Sequence, residues 1–256
     1  AFKEALSLDT IIFETNSVTM IDESAFENCI SLESITIPNS VQIIGRSAFS
    51  GCSSLTSIFF NENIDLKSIS YRAFYGCTSL NEFTIPNSVT SIVEGAFSGC
   101  TSLKSITIPK RVTTISKYAF NGCESLTSIL FEENSVLESI GAYAFYGCSK
   151  LRSITIPSSV TRIGRDAFKG CTNIEVTINN DLLYNEINQY PSKYGLTKGQ
   201  IKSGSNPTGG GNKSKQSTKK KKYIKRKKTK STKKKKTKST RKKKKNNKTT
   251  RKSKKK

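Results

Sequence analysis

The residues able to do chemistry in this 256-residue chain are few and evenly spaced. Seven cysteines, Cys29, Cys52, Cys77, Cys100, Cys123, Cys148 and Cys171, follow one another at intervals of 23 or 25 residues. Zinc sites draw their thiolates from close pairs, so this spacing speaks against a metal centre. One Cys per interval at a fixed place reads instead as a column of small buried apolar groups. Disulfides between stacked neighbours about 5 Å apart are the alternative, open in an oxidising compartment. The chain contains no His, which removes the usual Ser-His, Cys-His and His-metal arrangements. Gly211-Asn212-Lys213-Ser214 shares only the end of a phosphate-binding loop, without the Gly before Lys and without a strand and helix around it. These features predict a chain that is not an enzyme and needs neither cofactor nor metal.

Two other groups could bind a partner. Seven residues after each Cys come Thr36, Phe59, Thr84, Thr107, Leu130 and Thr155, with Thr177 shifted by one, and five after it come Ser34, Ser57, Glu82, Ser105, Ser128 and Ser153. This is a Ser/Thr pavement broken by two large apolar residues, a candidate contact face for a protein partner. In the alternative, the pavement is a solvated strand face and Phe59 and Leu130 are covered by their own loops. The second group is cationic. Residues 1–212 hold 16 Lys+Arg against 19 Asp+Glu, whereas residues 213–256 hold 27 Lys+Arg and no acid. The tail runs are Lys219, Lys220, Lys221 and Lys222; Lys225, Arg226, Lys227 and Lys228; Lys233, Lys234, Lys235 and Lys236; and Arg241, Lys242, Lys243, Lys244 and Lys245. Such a block attracts nucleic acid or another anionic polymer or surface without reading sequence. Importin recognition fits the same residues, and a merely solubilising tail is the plain alternative. With almost no apolar residues, residues 213–256 are expected to be disordered.

The elements that must hold the pavement repeat with the cysteines. Ala-Phe pairs place Phe at 2, 26, 49, 74, 97, 120, 145 and 168, a period of 23 to 25 residues. A period in this range marks stacked coils that bury their apolar residues only against one another. Leu follows three residues after Cys, and apolar residues follow at six and eight, as in Ile106 and Ile108. That alternation predicts a strand with one buried face, paired in parallel with its neighbours. Pro38, Pro86, Pro109 and Pro157 end the strand. A second short apolar pair such as Val112 and Ile115 follows, and Ala-Phe then leads to the Gly-Cys or Asn-Cys corner. Eight aromatic rings at one place predict a continuous buried Phe spine. Two coils are longer by two residues, at Phe59-Phe60-Asn61-Glu62-Asn63 and Leu130-Phe131-Glu132-Glu133-Asn134, and stand 71 residues apart. Their likeness suggests duplication of a three-coil block.

The coil A-F-x-G-C-x-S-L-x-S-I-T-I-P-x-S-V-T-x-I closely resembles the BspA-like, or Treponema pallidum type, leucine-rich repeat over residues 1–178. The resemblance implies a curved right-handed solenoid, and in many relatives a surface protein that binds host or matrix proteins. Together these readings predict a β-rich solenoid: a leucine-rich-repeat coil with a parallel sheet, a short C-terminal capping helix and a disordered basic tail. Its parts are an N-terminally incomplete repeat array at 1–178, a cap at 179–198, a flexible linker at 199–212 and the tail at 213–256. Within the cap, a helix over 181–190 starts at Asn180-Asp181, buries Leu183, Ile187 and Tyr190, and is stopped by Pro191. No apolar run approaches the ~20 residues that span a bilayer. The expected molecule is a monomeric protein-binding scaffold with a polyanion-binding tail; its compartment is left open, the basic tail favouring an intracellular or nuclear place, and the rival is a secreted or cell-surface adhesin.

Overall fold

A computed structural model describes residues 2–13 and 17–204. The basic tail, with every Lys and Arg named above, lies outside the described residues, as do positions 205–212 of the expected linker. The chain order is β1 (Met20–Ile21), β2 (Ser34–Ile37), β3 (Ile43–Ile44), β4 (Ser57–Phe60), β5 (Ser68–Ile69), β6 (Ser91–Ile92), β7 (Ser105–Ile108), β8 (Thr114–Ile115), β9 (Ser128–Phe131), β10 (Ser139–Ile140), β11 (Ser153–Ile156), β12 (Arg162–Ile163), β13 (Glu175–Ile178), α1 (Asp181–Gln189) and β14 (Ile201–Ser203). All described strand pairs are parallel, each coil laying its strand beside that of the coil before. The chain is therefore a β-solenoid, wound into eight turns as its column of phenylalanines counts them.

The core follows from the repeated side chains. Seven consecutive Phe pairs, from Phe2–Phe26 to Phe145–Phe168, stack with centroids 5.2–5.7 Å apart and rings within 18° of parallel. Each such pair adds roughly 0.5–1.5 kcal/mol beyond its area burial. The spine is buried from Phe26 onward, but Phe2, with a neighbour on one side only, is 54% exposed. The Ala-Phe corner is also a backbone ladder. The Phe N–H donates to the Ala carbonyl of the next coil at 2.6–2.9 Å, as from Phe74 to Ala96 and from Phe145 to Ala167. Ala is fully buried there, so no larger side chain fits between the coils.

The Cys column completes this corner. Every Sγ donates to the Phe carbonyl one coil back, at 3.0 Å from Cys29 to Phe2 and 3.2 Å from Cys171 to Phe145. From Phe26 to Phe145 the same carbonyl accepts the N–H of the Cys in its own coil, so the thiol fills the second lone pair of a buried oxygen that would otherwise go short. All seven cysteines are buried and free, and no bridge joins neighbours. Burial pushes the Cys52 and Cys123 thiols up to about 12 and those of Cys77 and Cys100 well above the ordinary value. The residue before each Cys turns the chain with positive φ: Gly51 to Gly170 adopt 69° to 88°, and Asn28, one of the non-Gly types that tolerate it, adopts 60°.

The apolar pairs after the strands build a second sheet, β1-β3-β5-β6-β8-β10-β12, unbroken through seven coils. The main sheet departs from expectation. It is divided into β2-β4 and β7-β9-β11-β13-β14, because residues 82–85 form no strand. Their alternation survives, with Phe83 and Ile85 buried and Glu82 and Thr84 exposed, but among the described residues the backbones of Phe83, Thr84 and Ile85 make no backbone hydrogen bond. Phe83 stands where the other coils carry Ile or Val. Its ring wedges edge-on against Phe97 at 4.8 Å and Phe60 at 5.7 Å, which holds the segment away from both neighbouring ladders.

At the C-terminal end Asn180 caps α1, its side chain accepting from the N–H groups of Leu182 and Leu183. Leu183 and Ile187 are buried as expected, but Tyr190 is 55% exposed. The helix stops at Gln189, and the backbone of Tyr190 (φ −131°, ψ 58°) leaves the helical path, so the seven-residue spacing no longer holds it on the buried face. Tyr194, in the 3-10 turn Pro191–Tyr194, fills the place instead and donates its hydroxyl to Glu186 Oε1 at 2.6 Å. β14 lies inside the stretch expected to be linker: Ile201 pairs with Val176 and adds a last strand to the sheet, since its side chain is buried and its backbone can continue the ladder.

With thiols buried and held protonated, native protein at pH 8 is expected to react with fewer than one equivalent of a thiol reagent per chain, and unfolded protein with seven. Spectrophotometric thiol titration with and without guanidinium checks this; a fast native reaction at several sites would contradict the column.

Candidate functional site

The outward face of the main sheet is where polar strand residues and large apolar residues meet. Thr36, Thr84, Thr107 and Thr155 are exposed, and Thr177 is half-buried. Phe59 and Leu130 are 57% and 59% exposed, so their own long loops do not cover them. In the ladder Phe59 pairs with Thr36 and Leu130 with Thr107, which sets each apolar side chain beside a hydroxyl on the same face. The two apolar residues do not touch. Three steps of the Phe column, 5.4, 5.4 and 5.3 Å, separate their coils, about 16 Å in all.

Each stands on the lip of a cleft, and the extra two residues of its coil explain why. β4 pairs through all four residues with β2 before it, and β9 through all four with β7. On the far side the ladder opens: β9 keeps a single pair with β11, Ser128 with Ser153, and β4 keeps none with residues 82–85. The first cleft, about 530 Å³, lies between Phe59, Phe60, Asn63 and Ile64 on one side and Thr84, Pro86, Asn87 and Ser88 on the other. The second, about 470 Å³, lies between Leu130, Phe131, Asn134 and Ser135 and, facing them, Thr155, Pro157, Ser158 and Asn179. The two clefts are built alike: Phe59, Phe60, Asn63, Thr84 and Pro86 answer to Leu130, Phe131, Asn134, Thr155 and Pro157, while Ile64 answers to Ser135 and Asn179 lines the second alone. Asn63 and Asn134 turn the two loops with φ of 59° and 58°, a conformation that Asn tolerates. The second loop is tied back by its own carboxylate, Glu132 Oε2 accepting from the Lys110 N–H at 2.9 Å. A third hollow, about 350 Å³, spans Thr84 and Thr107 with Glu82 and Lys104 at its edge.

The structure thus brings Phe59 together with Thr84, and Leu130 with Thr155, while Thr36 and Thr107 flank the apolar residues from the coil before. The far lips, Pro86 to Ser88 and Pro157 to Ser158, are additions that the sequence reading did not contain. The signal available was the Pro after the strand in each coil following a long one. Among the described residues there is no group of three His, Cys, Asp or Glu side chains able to hold a metal, and no helix is long and apolar enough to cross a membrane.

Parallel strands, one per coil of 23 to 25 residues, with a conserved-shape corner and a polar sheet face, define a leucine-rich-repeat solenoid. The family described as "BspA type Leucine rich repeat region" matches residues 1–66 and 67–195 in six copies. The chain belongs to this BspA-type leucine-rich repeat family. Among solved structures it is similar to a leucine rich cell surface protein from Faecalibacterium prausnitzii, at 34% identity and TM-score 0.58 over 64% of this chain and 44% of that one. It is also similar to a leucine-rich repeat protein from Bacteroides ovatus, at 32% identity and TM-score 0.51 over 80% of this chain and 54% of that one. The chain thus spans about half the length of these relatives. No curated protein sequence matches it.

Replacing Phe83 with Ile is expected to restore the ladder with β7 and to narrow the first cleft to the form of the second, which stays open with Ile154 in the equivalent place, at a cost of roughly 1 kcal/mol for the lost edge-to-face contacts. Hydrogen exchange reads it: the amides of residues 83–85 should slow toward those of 106–108, and unchanged exchange would mean that Phe83 is not the wedge.

Proposed function

We propose that the chain is a protein-binding scaffold whose sheet face grips an extended segment of a partner through the two matching clefts. The observation that carries this is the duplication itself: an exposed apolar side chain on the lip of an opened ladder, built twice, about 16 Å apart. At about 3.3 Å per residue, an extended peptide running along the solenoid spans that distance in about five residues. Side chains of an extended segment alternate in direction, so two anchors that both face the sheet stand an even number of residues apart, about four or six. Hydroxyls of Thr36, Thr84, Thr107 and Thr155 line its path and supply donors and acceptors to its backbone. These groups support binding, not catalysis, because the seven thiols are buried and protonated and the chain has no His.

The second part of the proposal is the tail. Lys219 to Lys245 form dense cationic runs that neutralise a phosphate polymer or an anionic surface, while the repeats dock the protein partner. A cell-surface adhesin is the second reading, favoured by the likeness to a protein described as a leucine rich cell surface protein.

Peptides selected on the full chain from a displayed library are expected to carry the paired apolar anchors. The double substitution Phe59→Thr and Leu130→Thr should weaken those peptides about 100-fold or more, since each buried anchor contributes roughly 1.5–3 kcal/mol. Both side chains are exposed, so stability should stay within about 0.5 kcal/mol. Equal binding by the double variant would sink the paired-cleft reading. For the tail, affinity for duplex DNA is expected to fall about a thousandfold or more between roughly 50 and 200 mM salt and to vanish when residues 213–256 are deleted. Salt-insensitive binding, or binding that survives the deletion, would count against it.

A further inference from the structure

The break in the main sheet leaves hydrogen-bonding capacity unspent. Between the coils of Phe74 and Phe97 the backbone ladder runs as far as the Lys104 N–H, which donates to the Asn81 carbonyl at 3.2 Å. It resumes only at Thr113, whose N–H donates to the Thr90 carbonyl at 3.0 Å. On the side before, the Asn81 N–H reaches the Thr56 carbonyl at 3.3 Å, and the next backbone rung is Thr90 to Lys67. Between these rungs the N–H and C=O groups of Phe83, Thr84 and Ile85 find no partner among the described residues. Phe83 and Ile85 are 6% and 3% exposed, so bulk water has little access to them. Buried backbone groups are nearly always paired, and three successive residues without partners mark a place for an outside donor and acceptor. The facing wall is alike: β7 is the edge of its sheet, and an edge strand offers both N–H and C=O groups. The third hollow, about 350 Å³, lies between these walls, with Thr84 and Asn87 on one side and Ser105 and Thr107 on the other.

This is also where a segment held by the two clefts has a side chain to place. The hollows adjoin one another: the first cleft and the third hollow share Thr84 and Asn87, and the third hollow and the second cleft share Glu132. Anchors four residues apart in an extended segment stand about 13 Å from each other, and the splay of two apolar side chains makes up the remaining distance. The residue midway between them points to the sheet as they do. It lies roughly 8 Å from each anchor, past the coil of Phe74 and short of the coil of Phe97, over the third hollow.

Resting on the paired-cleft reading, we infer that this hollow takes a carboxamide, the side chain of an Asn or Gln placed two residues from each anchor of the partner segment. A primary amide carries an acceptor oxygen and two donor hydrogens, so it supplies both of the things the broken ladder lacks. A carboxylate offers no donor and meets Glu82 and Glu132; an ammonium or guanidinium offers no acceptor and meets Lys104. The apolar anchors set the register, and Phe83, by keeping the strand out of the ladder, sets the preference at the centre.

The test uses the full chain and end-blocked synthetic peptides Thr-Leu-Ser-X-Ser-Leu-Thr with X as Asn, Gln, Ala, Asp or Lys, read by calorimetric titration. The sequence is the same in both directions, so X falls at the centre whichever way the peptide lies. Asn or Gln should bind about tenfold or more tighter than Ala, the effect of two neutral hydrogen bonds. Phe83→Ile should bring that ratio toward one while the Ala peptide stays within about threefold. Phe83→Val, with the residue type of Val176 in the last coil, serves if the first variant does not fold. Equal binding of the Asn, Gln and Ala peptides, a preference for Asp or Lys, or a preference that survives the variant would overturn the inference and leave the clefts standing. If no peptide binds, the clefts fail and the hollow is read by itself with propionamide, against propionate and propylammonium. Propionamide alone should then shift the backbone amide NMR signals of residues 83–85 and 105–108 in the wild type and not in Phe83→Ile. No such shift, or an equal one from a charged control, would overturn the carboxamide site.

Discussion

Everything in this molecule hangs on the contact between one Ala-Phe corner and the next. There the Phe N–H reaches the Ala carbonyl of the following coil, the ring stacks on its neighbour, and the Cys thiol returns to the Phe carbonyl behind it. Three short-range contacts at one place set the rise per coil at 5.2–5.7 Å. A coil that lost one of them would leave a buried polar group unpaired or a ring facing a void, and both cost more than a surface change. This is why the corner repeats so faithfully while the opposite side of each coil varies.

That division of labour lets the main sheet open without cost to the array. The second sheet runs unbroken through seven coils, and the Phe column through eight, so the winding is held even where residues 82–85 leave the ladder. Two extra residues in a coil fray the strand ends that follow, as between β9 and β11. When the next coil also carries Phe83 in place of Ile, the ladder is lost altogether. The exposed apolar side chains sit at these two places, on the lips of the openings.

The chain's own pattern went far. The eight-fold Phe spacing announced the stacked coils, the Cys interval announced a buried column, and the alternation at Ile106 and Ile108 announced a parallel strand with its outer Thr face. Asn180 and Pro191 bounded the capping helix. The long coils were legible as a pair, and with them Phe59 and Leu130. Each of these is a local property, because every coil packs against a copy of itself and one period describes all its neighbours.

What the sequence could not contain are the consequences of one coil differing from the next. Phe83 alternates correctly with its neighbours, so only its ring meeting Phe97 and Phe60 in space reveals the missing strand. Tyr190 has the right spacing for a buried helical face, and a turn of backbone after Gln189 hands the place to Tyr194. Ile201 looks like the start of a linker until the last coil offers it an open edge. Period and pattern fix what each coil does alone; depth, gaps and lips arise between coils, where differences of a few atoms are set against a rise of about 5 Å.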